Sequence, residues 1–313
     1  MSSKKLDSEF TRKILKQVRQ IEINTKQTVS DGMAGSYHSI FRGQGMNFEE
    51  VREYQAGDDV RNIDWNVTAK MDNAYVKQFR EERDLTIILM VDLSASGMFG
   101  SKEQSKRELA AEIASLLAFA ATRNNDNVGL LLFTDHVEQF IRPKKGRSHI
   151  LRIVREMLYF EPKGKKTNLI QALDHLNGIV KRKAVVFLLS DFLPILRTLE
   201  DPNQNSQNKD ELQMLKIAKR RHDLICIRIS DPREHELPDV GRITLEDAET
   251  EEVVEINTGS KRVRDQFKKD NLIREEKILK ALSQTGADLL SLSTHRPYVK
   301  DLKAFFARRK ERR

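Results

Sequence analysis

The stretch ILMVDLSASGMFGS, residues 88–101, begins as a buried strand and ceases to be one at Asp92. A continuous apolar run with a polar end suits a central strand covered on both faces of a sheet. The end of such a strand is informative, because ligands of open parallel sheets bind beyond the carboxyl ends, where loops and helix N-termini converge. In an extended turn the spacing Asp92, Ser94, Ser96 turns one carboxylate and two hydroxyls to a common side. Those are the donors a hard, oxygen-seeking cation takes. The competing reading is a helix cap, since Asp and Ser also satisfy free N–H groups at a helix start.

Outward from this stretch the chain alternates between strand and helix patterns. Strands are expected at 85–91, 128–134, 137–141, 184–189, 224–229 and 288–292, with helices at about 103–122, 147–158, 167–181, 209–221, 261–284 and 297–308. This alternation predicts an α/β fold: a doubly wound, mainly parallel sheet of Rossmann-like type with helices on both faces. Only Asp135 and His136 separate the second and third strands, so the third is an antiparallel edge strand closed by a hairpin. A further hairpin is expected at 240–257.

Two more oxygen donors stand at equivalent places. Thr167 opens the helix TNLIQALDHL, and Asp191 ends the strand AVVFLLSD. Three strand-to-helix loops thus offer Asp92, Ser94, Ser96, Thr167 and Asp191 at one end of the sheet. No pair of histidines falls at metal-ligand spacing and Cys226 is alone in an apolar run, so the donors point to Mg²⁺ or Mn²⁺ rather than zinc.

VDLSAS (91–96), KKTNLIQAL (165–173) and LLSDF (188–192) resemble the three loops of the metal-ion-dependent adhesion site (MIDAS) of von Willebrand factor A domains. The resemblance implies that Ser94, Ser96 and Thr167 ligate the metal directly, while Asp92 and Asp191 act directly or through water. It also implies an open coordination position that an acidic side chain of a partner fills. Lys165 and Lys166 stand where the resemblance would place two glycines, and put positive charge beside the proposed cation. The preceding segment, GQGMNFEEVREYQAGDDVRNIDWNVTAK (43–70), carries G-x-G-x-x-F, R-x-Y-x-x-G-D and R-x-I-D-W. With the sheet that follows, it resembles a bacterial family of unknown function, number fifty-eight in its series, whose members accompany MoxR-type AAA+ ATPases. The implied role is a non-catalytic, magnesium-dependent adaptor for protein–protein interaction. Its partners would be a MoxR-type AAA+ ATPase and a client protein offering an acidic side chain.

Three regions follow. Residues 1–40 hold a helix at 8–29, with Phe10, Ile14, Val18 and Ile21 at helical spacing, and a linker. Residues 41–83 are a glycine-punctuated, irregular segment, docked on the sheet by ion pairs of Asp58, Asp59, Arg61 and Asp64 and by Trp65 as an amphipathic anchor. Residues 84–313 are the von Willebrand factor A-like domain.

The chain has 313 residues and a net charge of +8, which suits an acidic partner, a nucleic acid or an anionic surface. Its basic clusters, 142–147, 163–166, 219–221 and the tail 308–313, are read as solvated faces and a frayed end rather than a polyanion site. The longest apolar stretches, such as TIILMVDL, fall short of the ~18–20 residues of a membrane span. The N-terminus lacks the apolar core of a secretory signal, and a cytoplasmic location is expected.

Enzyme motifs fail on their requirements. GKKTN lacks the glycines of a phosphate loop, and Asp92 stands where a G-x-S-x-G elbow would need glycine. A metal-dependent phosphohydrolase needs a base or nucleophile that the sequence does not supply. That class and a basic nucleic-acid-binding module are the alternatives to the adaptor.

Overall fold

The structure, a computed structural model, describes residues 45–312 apart from 72, 83–84, 101–103, 201–209 and 247–251. The helix expected at 8–29 lies outside the described residues. The chain divides between Leu85 and Thr86 into two compact units.

In the smaller unit, β1 (Gly45–Glu53) pairs antiparallel with β2 (Tyr75–Glu82), with a register shift between Phe48 and Glu50. The segment is therefore not irregular: its glycines fall at the start of β1 and in the turn at Gly57, and the bulge absorbs the mismatch in pairing. Between the strands lies a single helical turn, α1 (Trp65–Thr68), whose first N–H groups are accepted by the Asp64 side chain. The charged motif residues stay within the unit. Arg52 donates to both oxygens of Asp58 at 2.8 and 2.7 Å, and Asp59 pairs with Arg61. Trp65, expected as an anchor, is 69% exposed.

The larger unit is built on six strands: β3 (Thr86–Asp92), β4 (Asn127–Phe133), β5 (Val137–Lys144), β6 (Val185–Ser190), β7 (Asp223–Ser230) and β10 (Asp288–Ser293). Their order is β10-β7-β6-β3-β4-β5, and all pairs are parallel except β4 with β5. The mainly parallel α/β sheet with one antiparallel edge strand agrees with the sequence reading. Two short strands, β8 (Arg242–Glu246) and β9 (Val253–Asn257), form the separate hairpin after β7.

Helices cover both faces. On one side α2 (Lys106–Arg123) and α3 (Arg147–Tyr159) pack together, and α8 (Tyr298–Glu311) joins them through Tyr298, whose hydroxyl donates to Glu112 at 3.0 Å. On the other side α4 (Leu169–Ile179), α5 (Pro194–Glu200), α6 (Glu211–Arg221) and α7 (Lys261–Ser283) cover a core that includes Ile88, Met90, Phe133, Val186, Leu188 and Phe192. Both faces of β3 and β6 are thus dry, which is why their sequences are unbroken apolar runs. Each fully buried Leu, Ile or Phe contributes roughly 1.5–3 kcal/mol. Phe305 and Phe306, both buried, hold α8 to the core. The basic end is no frayed tail: α8 runs to Glu311, and buried Arg309 pairs with buried Asp223.

The strand order sets the site. The chain leaves β3 for β4 on one side, then crosses back to lay β6 on the other. Beyond the carboxyl ends of β3 and β6 the adjacent connections therefore diverge, opening a crevice at the reversal. The last registered pair is Val91 with Leu189, so Asp92 and Ser190 stand side by side at its floor.

His222, which ends α6, is 2% exposed, and its Nδ1 accepts from the Ala184 N–H at 3.4 Å. Burial, then the neighbouring charge of Arg221, lowers its pKa from 6.5 to about 4. The native imidazole binds its proton more weakly than the unfolded one. This contribution to stability is therefore complete above pH 6.5 and is lost as pH falls toward 4. His222→Asn keeps an acceptor for Ala184 and removes the titration. In urea unfolding, the stability advantage of wild type over this variant is expected to shrink by roughly 2–3 kcal/mol between pH 7 and pH 4.

Candidate metal centre

Each loop at the crevice is fixed by its own backbone. After β3, the Asp92 carboxylate accepts from the Ser94 N–H at 2.9 Å, and a 3₁₀ turn, Ala95–Met98, follows. After β6, the Ser190 hydroxyl accepts from the Phe192 N–H at 3.1 Å and the Asp191 carboxylate accepts from the Leu193 N–H at 3.1 Å. Phe192 holds a φ of +61° while its ring is fully buried. That left-handed conformation costs on the order of 1 kcal/mol for a side chain of this kind. It reverses the chain so that Ser190 and Asp191 both reach the site while the ring stays in the core.

The loop before α4 is held by Glu138 of β5. One oxygen of this carboxylate accepts from the Lys163 N–H and the Gly164 N–H, each at 2.8 Å, and from the Thr134 hydroxyl at 2.9 Å. The Asn168 N–H adds a bond to the Thr134 carbonyl at 2.9 Å. Gly164 is obligatory here: a Cβ would lie 2.2 Å from Asp135 Oδ1 and 2.3 Å from Thr134 Oγ1. The loop after β3 and the loop before α4 are tied directly by the Ala95 N–H, which donates to the Lys165 carbonyl at 2.8 Å.

These ties bring all five sequence-predicted residues together. Thr167 Oγ1 lies 3.5 and 3.4 Å from the two Asp92 oxygens, too far for a strong bond. Ser94 Oγ is 3.1 Å from Ser96 Oγ, and Ser96 Oγ donates to Asp191 Oδ2 at 2.7 Å. Asp92, Ser94, Thr167 and Asp191 are buried, and Ser96 is half-buried. Asp92, Ser94, Ser96 and Asp191 border an open pocket that Ser190, Gly97 and Lys106 also line, whereas Thr167 stands behind Asp92 and is not part of the lining.

The two carboxylates have unlike surroundings. The groups that donate to Asp92 are neutral: the Ser94 N–H and hydroxyl, the Ser190 hydroxyl at 2.7 Å and the distant Thr167 hydroxyl. Burial, then the charge of Asp191, pushes the Asp92 pKa up to about 7. For Asp191 burial also acts upward, but the adjacent Lys106 ammonium, at 2.8 Å, together with the hydrogen bonds from Ser96 and the Leu193 N–H, holds the carboxyl below its usual value. The site therefore contains a buried carboxylate with no cation of its own, inside a ring of oxygen donors. That chemistry fits a hard divalent ion. Among the described residues no cluster of three or more His, Cys, Asp or Glu side chains is placed to hold a metal, and three of the five donors here are hydroxyls.

Four residues of the site escaped the sequence. Ser190 sits next to Asp191 but reads as strand. Glu138 lies on an edge strand whose alternation is ordinary. Lys106, in SKRELAAEI, reads as a solvated first-turn lysine, yet its side chain is 4% exposed. Glu234, its second partner, lies in a 3₁₀ turn after β7. Lys165 and Lys166, which the sequence places beside the cation, have exposed side chains.

In chelator at pH 8, Asp92→Asn is expected to raise the thermal midpoint, because it keeps the acceptor for Ser94 and removes a buried charge worth about 2 kcal/mol. Gly164→Ala is expected to lower stability by roughly 1–3 kcal/mol through the clash with Thr134, measured by urea unfolding.

Comparison with known proteins places this geometry in a family. The profile described as "Protein of unknown function DUF58" matches residues 50–277. The uncharacterized protein Rv1480 of Mycobacterium tuberculosis is 32% identical over 302 residues, which are 95% of this chain and 90% of that one. The uncharacterized protein Mb1516 of Mycobacterium bovis gives the same figures. Among solved structures, the conserved hypothetical protein BatB of Bacteroides thetaiotaomicron is similar at a TM-score of 0.45 and 13% identity, over 72% of this chain and 99% of that one. The SpRpn10 VWA domain is similar at 0.35 and 14%, over 70% and 93%. No helix among the described residues is long and apolar enough to cross a membrane. By the extent of its profile match and its mycobacterial relatives, the chain belongs to the DUF58 family.

Proposed function

We propose that this protein is a non-catalytic adaptor that captures a partner protein through a divalent ion, Mg²⁺ or Mn²⁺. Asp92, Ser94, Ser96, Thr167 and Asp191 hold the ion, directly or through water. The ion supplies the positive charge that a partner's Asp or Glu side chain seeks. What carries this reading is Asp92, a buried carboxylate whose donors are all neutral and which faces a ring of hydroxyls at the sheet reversal.

The rim suits a protein partner. Met98 and Phe99, from the loop after β3, and Leu193, from the loop after β6, are exposed apolar side chains, and apolar side chains beside polar anchors are a feature of protein contacts. Exposed Lys165 and Lys166 add positive charge that favours an acidic approach. The resemblance of the motif segment 43–70 implies the wider setting: a MoxR-type AAA+ ATPase supplies work for remodelling or maturing a client, and this chain supplies recognition.

A non-catalytic role is favoured because the carboxylate that accepts the Ser96 hydrogen bond, Asp191, is already neutralised by Lys106 and so makes a poor general base. The basic-module alternative loses ground because Arg309, one residue of its terminal cluster, is buried in an ion pair.

Calorimetric titration of the full chain with Mn²⁺ is expected to give one site, lost in Thr167→Ala with the fold intact by circular dichroism; no heat of binding in wild type would end the proposal. Partner capture from lysate is expected to be abolished by EDTA and by Ser94→Ala. Turnover of a phosphoester that disappears in Asp92→Ala would instead identify a phosphohydrolase. Binding that falls steeply with salt and ignores chelator would identify a nucleic-acid module.

A further inference from the structure

The ammonium of Lys106 has no part in the adaptor reading, although it lies against one of the proposed ligands. It is the first residue of α2, directly after the Ser105 cap. A lysine is out of place there, because the positive end of the helix dipole disfavours cations. Burial disfavours its charge further, and its side chain is 4% exposed. Two carboxylates offset both penalties: Asp191 Oδ2 accepts from Nζ at 2.8 Å and Glu234 Oε1 accepts at 2.5 Å.

These two partners differ. Asp191 belongs to the candidate metal centre and already accepts from Ser96 and from the Leu193 N–H. Glu234 belongs to a 3₁₀ turn after β7. Its other oxygen accepts from the Asp231 N–H at 3.0 Å, and Asp231 is in turn fixed by the Arg233 N–H and the Thr294 hydroxyl. Glu234 is thus an acceptor for Lys106 that its own turn holds in place. The ammonium is shared between a carboxylate that the metal reading needs and one that it does not.

We propose that Lys106 is a tethered competitor for Asp191, an internal cation that sets how tightly the centre holds a divalent ion. Without the ion, the ammonium neutralises Asp191. With it, two like charges contend for one carboxylate, and Glu234 is the station that retains the lysine when Asp191 turns to the metal. The consequence is a deliberately weak site, responsive to the ambient level of the ion rather than permanently filled. The inference rests on the metal-binding reading above and adds to it a determinant of affinity.

The test is Mn²⁺ titration by calorimetry on the full-length wild type, Lys106→Met and Glu234→Gln, with thermal unfolding of each in chelator and in Mn²⁺. Lys106→Met is expected to bind Mn²⁺ at least tenfold more tightly than wild type. It should also melt lower in chelator, where Asp191 is left buried and unpaired, and show a larger rise in midpoint on adding Mn²⁺. Glu234→Gln is expected to bind severalfold more weakly, since the ammonium then has only Asp191. A folded Lys106→Met that binds no more tightly than wild type overturns the proposal while leaving metal binding intact. If Lys106→Met does not fold, Glu234→Gln decides alone: binding equal to or tighter than wild type overturns it. Absence of Mn²⁺ binding in all three proteins overturns this inference together with the reading on which it rests.

Discussion

A carboxylate buried without a cation is the constraint around which this domain is arranged. Asp92 ends the central strand of the sheet, beside the strand that delivers Asp191, and receives hydrogen bonds only from neutral groups. Two carboxylates so close cannot both ionise cheaply in a dry interior, and the contrast in their surroundings shows how the fold divides the burden. Asp191 is given Lys106, and Asp92 is given dipoles. The strand order makes the arrangement possible, because only at the reversal between β3 and β6 do two adjacent strand ends lie open above the sheet.

Preorganisation comes from ties between the loops rather than within them. The Ala95 N–H reaches the Lys165 carbonyl, the Asn168 N–H reaches Thr134, and Glu138 gathers two backbone N–H groups of the 163–164 turn. Thr167, whose hydroxyl is only distantly placed from Asp92, is held in the same loop by these neighbours.

Much of the fold was legible because burial on both faces writes itself as unbroken apolar runs. TIILMVD, VGLLLF and VVFLLS read as central strands, and they are. That Asp92, Ser94, Ser96, Thr167 and Asp191 come together was legible because they stand at three strand-to-helix connections of one parallel sheet, whose ends lie side by side. Less visible were features whose cause lies across the fold. β1 passes for loop because it opens on a glycine, Gly45, and its partner, β2, lies more than 20 residues away. α5 has only seven residues, too few for a helical period to show. Lys106 and Glu234 are 128 positions apart, and no local pattern distinguishes a lysine that finds two carboxylates from one that finds water.

The antiparallel edge strand β5 has its own effect on how the domain meets other chains. It closes one side of the six-stranded sheet, and it carries Arg142, Pro143 and Lys144 along with register shifts against β4. Proline offers no amide proton and basic side chains repel their own kind, so this border makes a poor template for an incoming strand. Polymerisation by sheet extension is thus discouraged at that margin.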